Sequence, residues 1–128
     1  MWTAKPRTMR VLLVEDTAFL REALSRVLRR QGYEVVEASD GQAALRLLES
    51  ELPDLVVTDL AMPVMDGIEL IHRLRNDDRT ATLPILVVTA EPTIQAERSA
   101  RRAGAAAVLP KPLDVPAFLT CLQACRVS

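Results

Sequence analysis

Five residues able to do chemistry follow short apolar stretches of this 128-residue chain. Glu15 and Asp16 come directly after the run Val11 to Val14, and Asp59 comes just after Leu55 to Val57. Thr89 closes Ile85 to Val88, and Lys111 lies just beyond Ala106 to Leu109. If the runs lie side by side, three carboxylates, a hydroxyl and an ammonium converge on one edge. Carboxylates crowded in this way repel one another unless a cation sits among them. A divalent ion with oxygen ligands resolves the conflict. Mg²⁺ suits because it keeps several waters and takes only one or two carboxylates plus phosphate oxygens. The set fits phosphoryl transfer, where positioning and charge neutralisation do most of the work. Asp59 would attack as a carboxylate nucleophile to give an acyl phosphate. Lys111 and Mg²⁺ would stabilise the equatorial oxygens, and Thr89 would donate a hydrogen bond to one of them.

Taken singly, each of these residues has an ordinary explanation. Glu15 and Asp16 could begin a helix, where acids are favoured. Asp59 could be a turn residue and Thr89 a helix N-cap or strand end. Lys111 could be a solvated lysine. The chemical reading rests on their joint placement at four strand ends, so it depends on the elements that carry them.

Those elements alternate between two hydrophobic rhythms. Val11 to Val14, Val35 to Val36, Leu55 to Val57, Ile85 to Val88 and Ala106 to Leu109 have the length and β-branched content of five buried strands. Between them, Leu20, Ala23, Leu24, Val27 and Leu28 form the apolar stripe of a helix ending near Gly32. Ala43, Ala44, Leu47 and Leu48 repeat the pattern, and Ile68 to Arg75 predicts a shorter third helix. Thr93 to Ala103 is a weaker, Arg-rich fourth helix closed by Gly104, with Ile94 as its only large aliphatic residue. A fifth starts near Val115 with Pro116 in its first turn and is expected to bury Val115, Phe118, Leu119 and Leu122. Continuous apolar strands alternating with helices argue for a parallel sheet covered on both faces. In such sheets ligands collect at the carboxyl ends of the strands.

Composition sets the outer limits. Hydrophobic residues make up 49% and charged residues 26%, ordinary for a folded soluble domain. A net charge of −1 gives no footprint for nucleic acid or an anionic membrane. No apolar run is long enough to span a bilayer and no secretory signal pattern is present, which together predict a cytoplasmic protein. Cys121 and Cys125 are the only cysteines and are expected to be free thiols in or beside the core. His72 reads as an exposed histidine, and Arg98, Arg101 and Arg102 as a solvated helix face.

Four segments together resemble the signature stretches of response-regulator receiver domains. They are Val11-Leu12-Leu13-Val14-Glu15-Asp16, Asp59-Leu60-Ala61-Met62-Pro63-Val64-Met65-Asp66-Gly67, Val87-Val88-Thr89-Ala90 and Leu109-Pro110-Lys111-Pro112. The resemblance runs from about Arg10 to the last helix, leaving residues 1–9 as an N-terminal extension and 10–128 as the receiver. It implies a flavodoxin-like (βα)5 fold with five parallel strands in the order 2-1-3-4-5 and helices on both faces. It also implies phosphorylation of Asp59 and Mg²⁺ held by Asp16, Asp59 and the backbone carbonyl of Ala61, with Glu15 acting through a water. Members usually have a cis peptide bond at the position of Lys111 and Pro112. The implied donor is a histidine kinase or histidine phosphotransfer protein. The implied output is a downstream protein met through the fourth helix, fifth strand and fifth helix. Such a module is a phospho-acceptor switch rather than an enzyme, catalysing only its own phosphorylation and dephosphorylation.

Three alternatives bear on function. The chain could be a receiver excised from a hybrid kinase or larger regulator, which would carry the same residues. A flavodoxin-like ligand-binding module would need a glycine-rich phosphate loop after the first strand, and Gly32, Gly41, Gly67 and Gly104 all lie elsewhere. An aspartyl phosphatase would need D-x-D after a strand, but Leu60 and Ala61 follow Asp59. One residue departs from the family pattern. Val108 stands three residues before Lys111, where members commonly carry a Tyr or Phe that swings inward on phosphorylation.

Overall fold

The central three apolar runs are buried on both faces, so their backbone finds its hydrogen bonds in neighbouring strands, and the two less buried outer runs pair onto their edges. The computed structural model describes residues 8–127, so most of the expected N-terminal extension, residues 1–7, lies outside the described residues. Strands β1 (Arg10–Val14), β2 (Glu34–Ala38), β3 (Leu55–Thr58), β4 (Ile85–Thr89) and β5 (Ala107–Pro110) alternate with five helices. These are α1 (Ala18–Arg30), α2 (Gly41–Leu47), α3 (Gly67–Arg75), α4 (Ile94–Ala103) and α5 (Val115–Val127). All strand pairs are parallel, in the order β2-β1-β3-β4-β5.

The pleat divides the core into two layers. Leu12, Val14, Val56, Ile85 and Val87 face one way and pack with Ala44, Leu70, Ile71, Leu74, Ala100 and Ala103 of α2, α3 and α4. Val11, Leu13, Val35, Leu55, Val57, Leu86 and Val88 face the other way, against Leu24 and Leu28 of α1 and Phe118 and Leu122 of α5. Side-chain caps fix four helix starts: Asp40 accepts from Ala43 N–H, Asp66 from Glu69 N–H, Thr93 from Ala96 N–H and, at a longer 3.4 Å, Asp114 from Ala117 N–H. Thr17, before α1, makes no such side-chain bond.

Three expectations change. β2 is longer than Val35 to Val36, because pairing with β1 draws in Glu34 and Glu37 regardless of their polarity. β5 shifts one residue along, to end at Pro110 opposite Thr89. Val115 is exposed rather than buried and Leu119 only partly buried, since α5 meets the sheet chiefly through Phe118 and Leu122. Among the described residues no helix is long and apolar enough to cross a membrane.

Candidate functional site

The strand register sets the site. Val14 lies opposite both Ala38 and Thr58, so Glu15 and Asp59 leave adjacent strands at the same level. Their backbones continue the ladder: Glu15 N–H donates to Ala38 O at 3.0 Å and Asp59 N–H to Val14 O at 3.2 Å. On the other side of the sheet, Lys111 N–H donates to Thr89 O at 2.8 Å. Side chains here emerge from clamped backbone, which limits how far they stray.

Lys111 Nζ joins two of the carboxylates, donating to Asp59 Oδ2 and to Glu15 Oε1, each at 2.8 Å. The other oxygen of Asp59, Oδ1, accepts Leu60 N–H at 2.6 Å and Ala61 N–H at 3.3 Å. Glu15 Oε2 accepts Thr17 N–H at 3.1 Å. Glu15 and Asp59 are buried whereas Asp16 is exposed, and carboxylate oxygens of all three lie within 4.8 Å of one another. Burial pushes the Glu15 carboxyl up, and the bonds from Lys111 and Thr17 only partly offset it. For Lys111, burial acts downward but is outweighed by hydrogen bonds and charges from Asp59 and Glu15, which hold the ammonium above the ordinary lysine range. An all-oxygen donor set with more acid than base, open to solvent on the Asp16 side, fits a hard divalent cation.

The loop after Asp59 is shaped by backbone. Thr58 donates its hydroxyl to Asp59 O at 2.9 Å, and Gly67 N–H donates to Leu60 O at 2.8 Å. A Cβ on Gly67 would overlap the carbonyl oxygen of Asp59, so only glycine lets α3 start this close to the site. Val64, exposed at the loop tip, holds a φ of 71°, a region costly for a β-branched residue.

Four of the sequence-derived residues, Glu15, Asp16, Asp59 and Lys111, thus meet in one cluster. Thr89 is buried at the end of β4, and its Oγ1 accepts Glu91 N–H at 3.2 Å, leaving the hydroxyl hydrogen available to another acceptor. Ala61 is exposed beside Asp59. The Lys111–Pro112 peptide bond is cis. His72, Arg98, Arg101 and Arg102 are exposed, and Arg101 pairs with Glu97 at 3.1 Å. Cys121 and Cys125 are half-buried beside the α1 and α5 core layer and are not joined by a disulfide. Sequence reasoning missed Thr58, whose hydroxyl braces the Asp59 carbonyl, and Arg21, which donates to Glu15 O at 2.8 Å.

Residues 11–123 match the family described as the response regulator receiver domain. The chain belongs to that family. A response regulator, MprA, of Mycolicibacterium vanbaalenii is 42% identical over 118 residues, covering 91% of this chain and 49% of the relative. The chain therefore spans about half the length of the curated relatives it matches. Among solved structures, the chemotaxis protein CheY4 of Vibrio cholerae superposes with a TM-score of 0.88 at 32% identity, covering 93% of this receiver domain and 99% of that chain. The receiver domain of the sensor histidine kinase PA1611 of Pseudomonas aeruginosa, solved with a magnesium ion coordinated in its active site cleft, gives a TM-score of 0.87 at 28% identity. It is covered in full, against 95% of this chain.

Proposed function

We propose that this receiver domain is a phospho-acceptor switch that takes a phosphoryl group on Asp59 in the presence of Mg²⁺ and changes partner binding as a result. The observation that carries the reading is the joint grip of Lys111 on Asp59 and Glu15, at 2.8 Å each, beside the exposed carboxylate of Asp16. Asp16, Asp59 and the backbone carbonyl of Ala61 would hold Mg²⁺, with Glu15 contributing through a water. The magnesium in the Pseudomonas aeruginosa receiver domain supports that choice of metal. Bound there, the metal supplies positive charge to the oxygens of the transferred group.

The chain's own residues account for the rest of the step. An Asp59 carboxylate oxygen forms a bond to phosphorus while the donor's bond to phosphorus breaks, its electron pair leaving with the donor. N–H groups of Leu60 and Ala61 keep the carboxylate oriented through Oδ1. Lys111 turns its hydrogen bond from Asp59 Oδ2 to a phosphoryl oxygen, and Thr89 donates its hydroxyl hydrogen to another. The donor is a histidine kinase or histidine phosphotransfer protein, and the output partner docks on the face of α4, β5 and α5. Catalysis is confined to the domain's own phosphorylation and dephosphorylation.

Incubation with acetyl phosphate and Mg²⁺ followed by intact-mass measurement tests this. Wild-type protein gains the mass of one phosphoryl group and Asp59→Asn gains none. An unmodified wild type, or an adduct that persists in Asp59→Asn, overturns the proposal.

A further inference from the structure

Outside the cluster, one cation touches the backbone that carries it. Arg21 on α1 donates from Nη1 to the carbonyl oxygen of Glu15 at 2.8 Å. Its Nε faces Glu37 Oε1 on β2 at 3.5 Å, and its side chain is only 20% exposed. Glu37 is held in turn: buried Ser25 donates to its Oε2 at 3.3 Å while accepting from Arg29 Nε at 3.1 Å. Arg29 is anchored to the carbonyl of Val35 at 3.1 Å. A polar chain therefore runs from β2 through Arg21 to the peptide that joins Glu15 to Asp16.

That peptide is planar, so fixing its oxygen also fixes the plane from which the Asp16 side chain departs. The preceding peptide is fixed by Glu15 N–H on Ala38 O at 3.0 Å. Both planes around Glu15 are thus tied to β2, one directly and one through Arg21 and Glu37. Thr17 adds no side-chain cap to α1, and its N–H is given to Glu15 Oε2, so the turn from 15 to 17 relies on these ties.

We infer that Arg21, set by Glu37, is a positioning residue that aims the Glu15 and Asp16 carboxylates at the shared cation. The inference rests on the proposed function and names a determinant of metal affinity that lies outside the ligand set. Two roles for Arg21 have opposite consequences. If it acted only through its charge, removing it would relieve repulsion of a cation and tighten Mg²⁺ binding. If it positions the carboxylates, removing it weakens binding although the site becomes more negative. Lysine keeps the charge but cannot span the Glu15 carbonyl and the Glu37 carboxylate with one planar fork.

The test is a Mg²⁺ titration followed by backbone amide shifts in wild type, Arg21→Met, Arg21→Lys and Glu37→Gln, at a temperature where circular dichroism shows each to be folded. The acetyl phosphate mass assay is run alongside. Arg21→Met should bind Mg²⁺ roughly ten-fold more weakly, as loss of a group that orients metal ligands does. Arg21→Lys should fall between it and wild type, and Glu37→Gln should weaken binding by less. Arg21→Met binding as tightly as wild type, or more tightly, overturns the inference. If Arg21→Met fails to fold, unchanged affinity in both Arg21→Lys and Glu37→Gln overturns it equally. A wild type that gains no phosphoryl adduct overturns the proposed function and the inference with it. A normal wild-type adduct with unaltered variant affinities overturns the inference alone.

Discussion

Gly67 shows how little room the loop after Asp59 leaves. Its missing Cβ is the space occupied by the Asp59 carbonyl and the Leu60 Cα, and backbone atoms cannot swing aside as a side chain can. Gly67→Ala should therefore cost about 1 to 3 kcal/mol, the usual range for overpacking, measurable by urea unfolding. Gly41→Ala should cost less, because there the obstruction is the flexible side chain of Met65. Equal losses would contradict the contrast. A second residue-scale prediction concerns the lifetime of the acyl phosphate. Its hydrolysis needs a water in line behind phosphorus, and exposed Ala61 and Glu91, two residues beyond Asp59 and Thr89, are expected to flank that approach. Ala61 has no polar side chain to hold the water. Ala61→Asn should thus lose phosphate faster while Mg²⁺ affinity stays the same, since only the backbone carbonyl of residue 61 is assigned to the metal. An unchanged or slower decay of the mass adduct would count against this. The clustering of Glu15, Asp16, Asp59 and Lys111 was legible in the sequence because unusual chemical types stood at strand ends. Arg21 and Thr58 were not, for an arginine on a helix and a threonine in a strand are commonplace until the tertiary register brings them to the carbonyls they hold.

At the scale of elements, β1, β3 and β4 were readable because each is buried on both faces and its apolar run is unbroken. Edge strands were less so. β2 carries glutamates at two of its five positions, and β5 is nowhere fully buried. α4 is lightly anchored at its start: it buries only alanines, Ala100 and Ala103, near its C-terminal end, while Ile94 at its start is 73% exposed. The C-terminal end is tied down further by Arg75, which donates to Gly104 O at 2.7 Å and to Ala81 O at 3.0 Å. An element fixed at one end and loose at the other is cheap to displace from the loose end. Thr89 lies just upstream of that end, with its hydroxyl oxygen bound to Glu91 N–H. Val108 on β5 is half-buried against the α3 and α4 core layer and has few χ1 choices, so it cannot sweep inward as a ring does. Beryllofluoride, as a phosphoryl mimic, should shift amide signals chiefly from Ala90 to Gly104. Thr89→Ala should abolish that response and Val108→Ala should leave most of it. Similar loss in both variants would give Val108 a part in the relay that its geometry does not predict.

For the whole molecule, the sheet is a wall shared by both core layers, with Leu12 and Val14 serving one and Val11 and Leu13 the other. The acidic cluster sits at the end of that wall and draws on β1, β3 and the residues after β5, so local order there is coupled to the global fold. A ligand that binds only the folded cluster must stabilise the whole domain by mass action. At ten times its dissociation constant, Mg²⁺ should add about 1.4 kcal/mol, which for a chain of this size raises Tm by roughly 3 to 6 °C. General ionic strength offers a competing explanation, but a net charge of −1 leaves little long-range repulsion to screen. The two are separated by comparing MgCl₂ with NaCl at matched ionic strength in wild type and Asp16→Asn. The wild type should gain stability from MgCl₂ alone, and Asp16→Asn, lacking one carboxylate of the cluster, should gain little from either salt. Equal stabilisation of both proteins by MgCl₂ would mean that the cation acts away from Asp16, and the ligand set proposed for the metal would have to be redrawn.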